Sequence, residues 1–152
     1  MELSKTFRFE ASHILPNYVG KCGRLHGHSW VLTVFVEGNI DPSTGMVMDY
    51  TDLGKRVQPI VDDLDHRHLG CWPDGSNAFF HASPGVWLIK GKDWSVSWLE
   101  TDNPTSENLL LEIGRRLGKV LNWSRISLNE TCRTSCSLTW DECVSYWGKR
   151  FK

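Results

Sequence analysis

Apolar and polar residues alternate from the start of the chain. Phe7, Phe9 and Ala11 recur at every second position with polar or charged residues between them, which predicts a strand over residues 2–13 with His13 on the same face. A second strand is expected from Ser29 to Gly38, with Trp30, Leu32, Val34 and Val36 on one face, and the loop between the two strands carries Cys22. Residues 38–45 are dense in turn formers, and Asp49 then suits a helix cap. Leu53, Val57, Val61 and Leu64 repeat at helical spacing, so the helix should end near Leu64, and Pro59 inside it predicts a kink or break because proline has no N–H to donate. A second helix opens at Thr105, its expected cap, with Glu107 in the first turn, where a negative charge suits the helix dipole. Leu109, Ile113, Leu117, Val120 and Leu121 mark its buried face. Ile126, Leu128 and Glu130 alternate along a third strand, and Ser137 to Trp140 reads as a fourth before a polar, basic tail at 141–152.

Between the helices the composition shifts. Residues 71–102 carry Gly, Pro and Ser punctuation and four of the eight tryptophans, Trp72, Trp87, Trp94 and Trp98. The runs 86–89 and 94–98 flank a four-residue turn, so this insertion is expected to form a β-hairpin packed as a small satellite core.

At 152 residues the chain is read as a single domain, 1–152, able to bury its own core. A net charge of −1 offers no basic field for nucleic acid, so a small-molecule substrate fits better than a polymer. No apolar stretch reaches membrane-spanning length and Met1–Lys5 has no signal-like core, so a cytoplasmic protein is expected, with no membrane partner. Five scattered cysteines, an odd number, do not make a disulfide framework and leave thiol or metal chemistry as their uses.

Chemistry concentrates in Lys21-Cys22-Gly23-Arg24-Leu25-His26-Gly27-His28. His26 and His28 leave the same face of an extended chain, and antiparallel pairing with the first strand brings His13 beside them. Three imidazoles with a vacant position suit a catalytic zinc, whereas Cys22 as a fourth ligand would close the site and make it structural; spacing leaves both open. Asp65 beside His66 can fix a tautomer and support an imidazolium, although adjacent residues need not touch. Glu130 ends an apolar strand face, a costly place for a carboxylate without a partner.

Ala11-Ser12-His13, Cys22-Gly23-Arg24-Leu25-His26-Gly27-His28, Leu64-Asp65-His66, Pro104-Thr105-Ser106-Glu107-Asn108 and Glu130-Thr131-Cys132, in this order, resemble the 6-pyruvoyltetrahydropterin synthase superfamily. The three-residue gap between Cys22 and His26, with the ending Glu-Thr-Cys-x3-Cys, is similar to its 6-carboxy-5,6,7,8-tetrahydropterin synthases, the QueD family. The resemblance covers roughly residues 1–70 and 103–140 and leaves the insertion and tail aside.

It implies an α+β tunnelling fold (T-fold), an antiparallel four-stranded sheet with two helices on one face, assembling as a homohexamer, a dimer of trimers, with sites between subunits. It also implies conversion of 7,8-dihydroneopterin triphosphate to 6-carboxy-5,6,7,8-tetrahydropterin, with release of acetaldehyde and triphosphate, in 7-deazaguanine (queuosine-type) biosynthesis. By position, His13, His26 and His28 would hold Zn2+, Cys22 would be the general base with Asp65 and His66 as proton-relay partners, and Glu130 would anchor the pterin, with Glu107 in the same pocket. A pyruvoyl-forming synthase and a non-catalytic zinc- or pterin-binding protein are the alternatives.

Overall fold

Strand β1 (Glu2–His13), strand β2 (His26–Glu37), helix α1 (Tyr50–Leu64), strands β3 (Arg67–Cys71) and β4 (Val96–Leu99), helix α2 (Ser106–Leu117), strands β5 (Arg125–Thr131) and β6 (Thr134–Thr139) and helix α3 (Trp140–Trp147) follow in that order. The structure, a computed structural model, describes residues 1–16, 18–71, 96–101 and 103–148. The expected hairpin over 86–98 lies outside the described residues except for its last three positions.

The expected period-two pattern is realised: β1 and β2 pair antiparallel without interruption from Glu2↔Glu37 to His13↔His26. Phe7, Phe9 and Ala11 of β1, Trp30, Leu32, Val34 and Val36 of β2, and Ile126 and Leu128 of β5 are all buried in one core. Leu53, Val57, Val61 and Leu64 from α1 and Leu109, Leu110, Ile113 and Leu117 from α2 close that core from the same side. Each buried aliphatic side chain of this kind contributes roughly 1.5–3 kcal/mol relative to exposure. The other face stays polar along β1, where Glu2, Ser4, Thr6, Arg8 and Glu10 are exposed.

The sheet has six strands in the order β4-β3-β1-β2-β5-β6, not the four antiparallel strands expected. The antiparallel four are present as β1, β2, β5 and β6, while β3 and β4 add a parallel edge. Arg67-His68-Leu69-Gly70-Cys71 shows no alternation of apolar and polar residues that would mark it as a strand in the sequence. β3 joins β1 only through Ala11↔Arg67 and Ser12↔His68.

Helix α1 starts at the Asp49 cap, whose carboxylate accepts from the Thr51 N–H, and runs on through Pro59 without the expected break. Both Pro59 and Lys55, four residues earlier, are exposed, so the carbonyl that proline leaves without a donor faces water. α2 opens at the expected Thr105 cap but ends at Leu117, and Val120, assigned to its apolar face, is 41% exposed in the turn that follows. The fourth strand is longer than expected, Thr134–Thr139, and the tail that follows is helical rather than merely polar. Thr139 and Glu142 form a reciprocal capping box there, and Cys143 and Trp147 dock α3 on the core, with the Trp147 indole donating to the Leu111 carbonyl at 3.0 Å.

Candidate metal centre

β2 begins at His26, three residues earlier than the alternation suggested, so the two histidines of the motif are strand residues and inherit its geometry. Pairing places His26 opposite His13 and His28 opposite Ala11, with all three rings on the core face where the apolar rows of β1 and β2 end. Their ligand nitrogens lie within 4.8 Å of one another. Trp30 floors the cluster: its fully buried ring meets His13 and His28 edge-on at 5.4 and 5.3 Å between centroids.

The tautomers of two ligands are fixed by backbone. His13 Nδ1 lies 2.7 Å from the Pro104 carbonyl, and His26 Nδ1 lies 2.7 Å from the Arg24 carbonyl. A carbonyl can only accept, so each Nδ1 carries the proton and each Nε2 presents a lone pair. Those two Nε2 atoms stand 3.1 Å apart. Ligand atoms around a tetrahedral zinc, with bonds near 2.05 Å, are separated by roughly 3.3 Å. His28 Nε2 is buried with no hydrogen-bond partner. Burial lowers the His13 imidazole to about 4 despite the opposing pull of the Pro104 carbonyl. Burial also lowers His28, with the Glu130 charge acting the other way. Imidazole nitrogens converging in this way fit a divalent cation of zinc type, and the group assembles without a thiol.

Glu130 reaches the same point. It follows Ile126 and Leu128 on the core face of β5, at the point where β5 and β6 shift register between Asn129 and Thr131. Its Oε1 stands 3.4 Å from His28 Nε2 and 3.6 Å from His13 Nε2, with the side chain 28% exposed rather than fully buried.

Asp65 and His66 do touch, at 2.9 Å between Oδ2 and Nδ1. His66 adopts φ +54, a left-handed conformation uncommon outside glycine, and its N–H donates to the Glu10 carbonyl at 2.6 Å. The Glu10 N–H in turn donates to Asp65 Oδ1 at 2.7 Å, which is the largest cause holding that carboxyl below its usual range. The pair is thus pinned to β1 three residues before His13, yet the His66 side chain is 78% exposed.

Cys22 sits in a single 3-10 turn, Lys21–Gly23, and is half-buried. Its carbonyl accepts from the Leu15 N–H at 2.9 Å, and a Cβ on Gly23 would collide with the Tyr18 carbonyl, so the residue after Cys22 must be glycine for the loop to fold this way. Among the described residues of one chain, the Cys22 thiol is not joined to the histidine group or to Asp65–His66. Glu107 is exposed and accepts from the Ser106 hydroxyl at 3.3 Å. The Cys136 thiol is raised by burial, pulled down by the Ser106 hydroxyl, and raised again by the charges of Glu107 and Glu130.

Several participants carry no sequence signal. The Pro104 and Arg24 groups are backbone carbonyls, invisible to a search by side-chain type. Ser12 and His68, whose Oγ and Nδ1 meet at 3.0 Å, come together only through the parallel β1–β3 pairing.

A family model described as 6-pyruvoyl tetrahydropterin synthase matches residues 2–141. A Synechocystis protein named 6-carboxy-5,6,7,8-tetrahydropterin synthase is 46% identical over 70 residues, 43% of this chain and 54% of that protein. The chain spans about half the length of the first curated relatives it matches. A Pongo abelii protein named 6-pyruvoyl tetrahydrobiopterin synthase is 38% identical over 125 residues, 67% of this chain and 86% of its own length. The solved structure of a Caenorhabditis elegans 6-pyruvoyl tetrahydropterin synthase superposes with a TM-score of 0.66, covering 91% of this chain and 94% of that one. At 24% identity that likeness concerns the fold alone.

Proposed function

Because the chain belongs to the 6-pyruvoyl tetrahydropterin synthase family and has its tunnelling fold, we propose that it converts 7,8-dihydroneopterin triphosphate to 6-carboxy-5,6,7,8-tetrahydropterin, releasing acetaldehyde and triphosphate. One observation carries the reading: the His13 and His26 Nε2 lone pairs face each other at 3.1 Å, each forced into that tautomer by a backbone carbonyl, with the buried and unpartnered His28 Nε2 beside them. Two lone pairs at that distance repel unless a metal ion or a shared proton lies between them. His13, His26 and His28 would hold zinc. Bound there, zinc supplies a Lewis acid for a side-chain oxygen of the substrate.

The remaining roles belong to the chain itself. Cys22, as a thiolate, takes a proton from the substrate side chain. Asp65 fixes the His66 tautomer through Nδ1, leaving Nε2 to pass protons, and the exposure of that ring suits a site completed by a second subunit. Glu130 accepts from the amino and ring N–H groups of the pterin as paired, charge-assisted hydrogen bonds, with Glu107 at the rim. Assembly as a dimer of trimers belongs to the same reading: among the described residues, the outer edge of β1 before Ala11 and the outer edge of β6 have no strand partner, and sheet edges of that kind accept strands. None of the described helices is long and apolar enough to cross a membrane, and we place the enzyme in the cytoplasm, in 7-deazaguanine biosynthesis.

The test is incubation of the zinc-loaded protein with 7,8-dihydroneopterin triphosphate, followed by mass spectrometry of the pterin. A 6-carboxy product is expected. Retention of the three-carbon side chain after triphosphate loss would make this a pyruvoyl-forming enzyme, the reaction in the name of the Pongo abelii relative. Unchanged substrate would leave a binding protein.

A further inference from the structure

The surroundings of the Glu130 carboxylate do not look like those of a pterin anchor alone. Its Oε1 is 3.4 Å from His28 Nε2 and 3.6 Å from His13 Nε2, close to the roughly 3.3 Å separating neighbouring ligand atoms around a tetrahedral zinc. Neither approach is a hydrogen bond: His28 Nε2 has no partner, and His13 Nε2 has no proton to give because Nδ1 holds it against Pro104. Among the described residues no lysine or arginine lies within ion-pair reach of Glu130, so the ordinary explanation of a carboxylate in a pocket, a basic protein partner, does not apply. Lone pairs and one negative charge therefore converge on a single point. Glu130 follows Ile126 and Leu128 on the core face of β5, the face on which the histidines lie.

We propose that in the substrate-free protein Glu130 is the fourth ligand of the metal held by His13, His26 and His28, and that it leaves the metal when the donor edge of a pterin claims its oxygens. The inference rests on the zinc and pterin reading above and deepens it. A carboxylate on the metal lowers the net charge of the centre and its acidity. Ion retention is strengthened at rest and Lewis acidity is withheld until substrate arrives. The same residue thereby reports occupancy of the pterin pocket to the metal, with no moving domain.

Zinc affinity is measured by competition with a chromophoric chelator for the full-length wild type and for Glu130→Gln, which keeps the shape and removes the charge. The visible spectra of both cobalt-loaded proteins are recorded before and after adding pterin itself. Pterin offers the donor edge but has no side chain to reach the metal. Zinc should bind at least tenfold more weakly to Glu130→Gln, and the two cobalt spectra should differ. Pterin should move the wild-type spectrum towards that of the variant and leave the variant unmoved. Equal zinc affinities with superimposable spectra overturn the proposal, and a wild-type spectrum that ignores saturating pterin overturns the release step. If Glu130→Gln fails to fold, the wild-type titration alone decides, because the spectral shift with pterin needs no variant. A wild type that binds no zinc refutes the metal reading of the previous section instead.

Discussion

Replacing Glu112 tests how α2 is held, and with it the Pro104 carbonyl that orients His13. Glu112 is fully buried, and its two oxygens accept three charged hydrogen bonds: Arg115 Nε at 2.9 Å, Arg115 Nη2 at 2.7 Å and Arg116 Nε at 2.7 Å. Breaking a buried pair by removing one member costs about 3–5 kcal/mol, because the other charge is left without compensation. Here the stranded guanidiniums are 12% and 19% exposed and keep other partners, Glu100 at 3.3 Å for Arg115 and Asp63 at 2.7 Å for Arg116. We therefore expect Glu112→Gln to cost less, about 2–3 kcal/mol. For a domain of this size that corresponds to a fall of roughly 4–12 °C in Tm. Urea unfolding of wild type, Glu112→Gln, Asp63→Asn and the double variant provides the assay. The double variant should lose more than the two singles added together, since Arg116 then has neither carboxylate. Loss of less than 0.5 kcal/mol in Glu112→Gln, a threshold of about the size of ordinary surface effects, would refute the view that this network fastens α2 to α1.

Cys22→Ala should abolish turnover while metal analysis still finds zinc, because the three histidine ligands close without the thiol; loss of the ion together with the thiol would make Cys22 a ligand. His28→Ala should lose both metal and activity, since two imidazoles bind zinc too weakly to survive purification, and full activity in metal-free His28→Ala would end the zinc mechanism. Thr139→Ala removes the capping box of α3 and should cost about 1 kcal/mol by urea unfolding, with turnover unchanged. Asp65 carries a pH signature. Its carboxyl is lowered in the folded protein, so the stability it contributes is present above its unfolded pKa and lost as pH falls through the folded value. Asp65→Asn should flatten that acid limb of the stability curve, and an unchanged limb would show that the Glu10 N–H bond is energetically silent.

Features fixed by neighbours in the chain were legible in advance. The β1 and β2 faces follow from alternation, the caps at Asp49 and Thr105 from their own side chains, and the meeting of His13 with His26 and His28 from one hairpin register. Long-range features were not. β3 and β4 pair in parallel across wide gaps in sequence, and nothing within Arg67–Cys71 announces a strand. α3 is different, because the Thr139-x-x-Glu142 signature was available and the basic residues at the end of the chain masked it. Pro59 misled because its usual penalty assumes a carbonyl with nowhere to turn, and on the exposed face of α1 water takes that role. Alternation puts Glu130 on the right face, but its approach to His28 depends on the pairing of β2 with β5, a property of two strands and not of one.

The carbonyls that orient His13 and His26 belong to Pro104 and Arg24, and a main-chain group stays the same whatever side chain hangs from it. In many metal centres a carboxylate plays this part, and one point mutation deletes it. Here the two imidazoles take their orientation from the path of the chain, so position 24 is free to vary in side chain without disturbing the histidine geometry. Only a change that redirects the backbone, such as an insertion between Cys22 and His26 or a displaced start to α2, would unseat a ligand. Apart from Gly23, where the loop has no room for a side chain, the centre is therefore tolerant of substitution around it and sensitive to changes in length, so loop lengths in descendants of this sequence should be held more tightly than most residue identities.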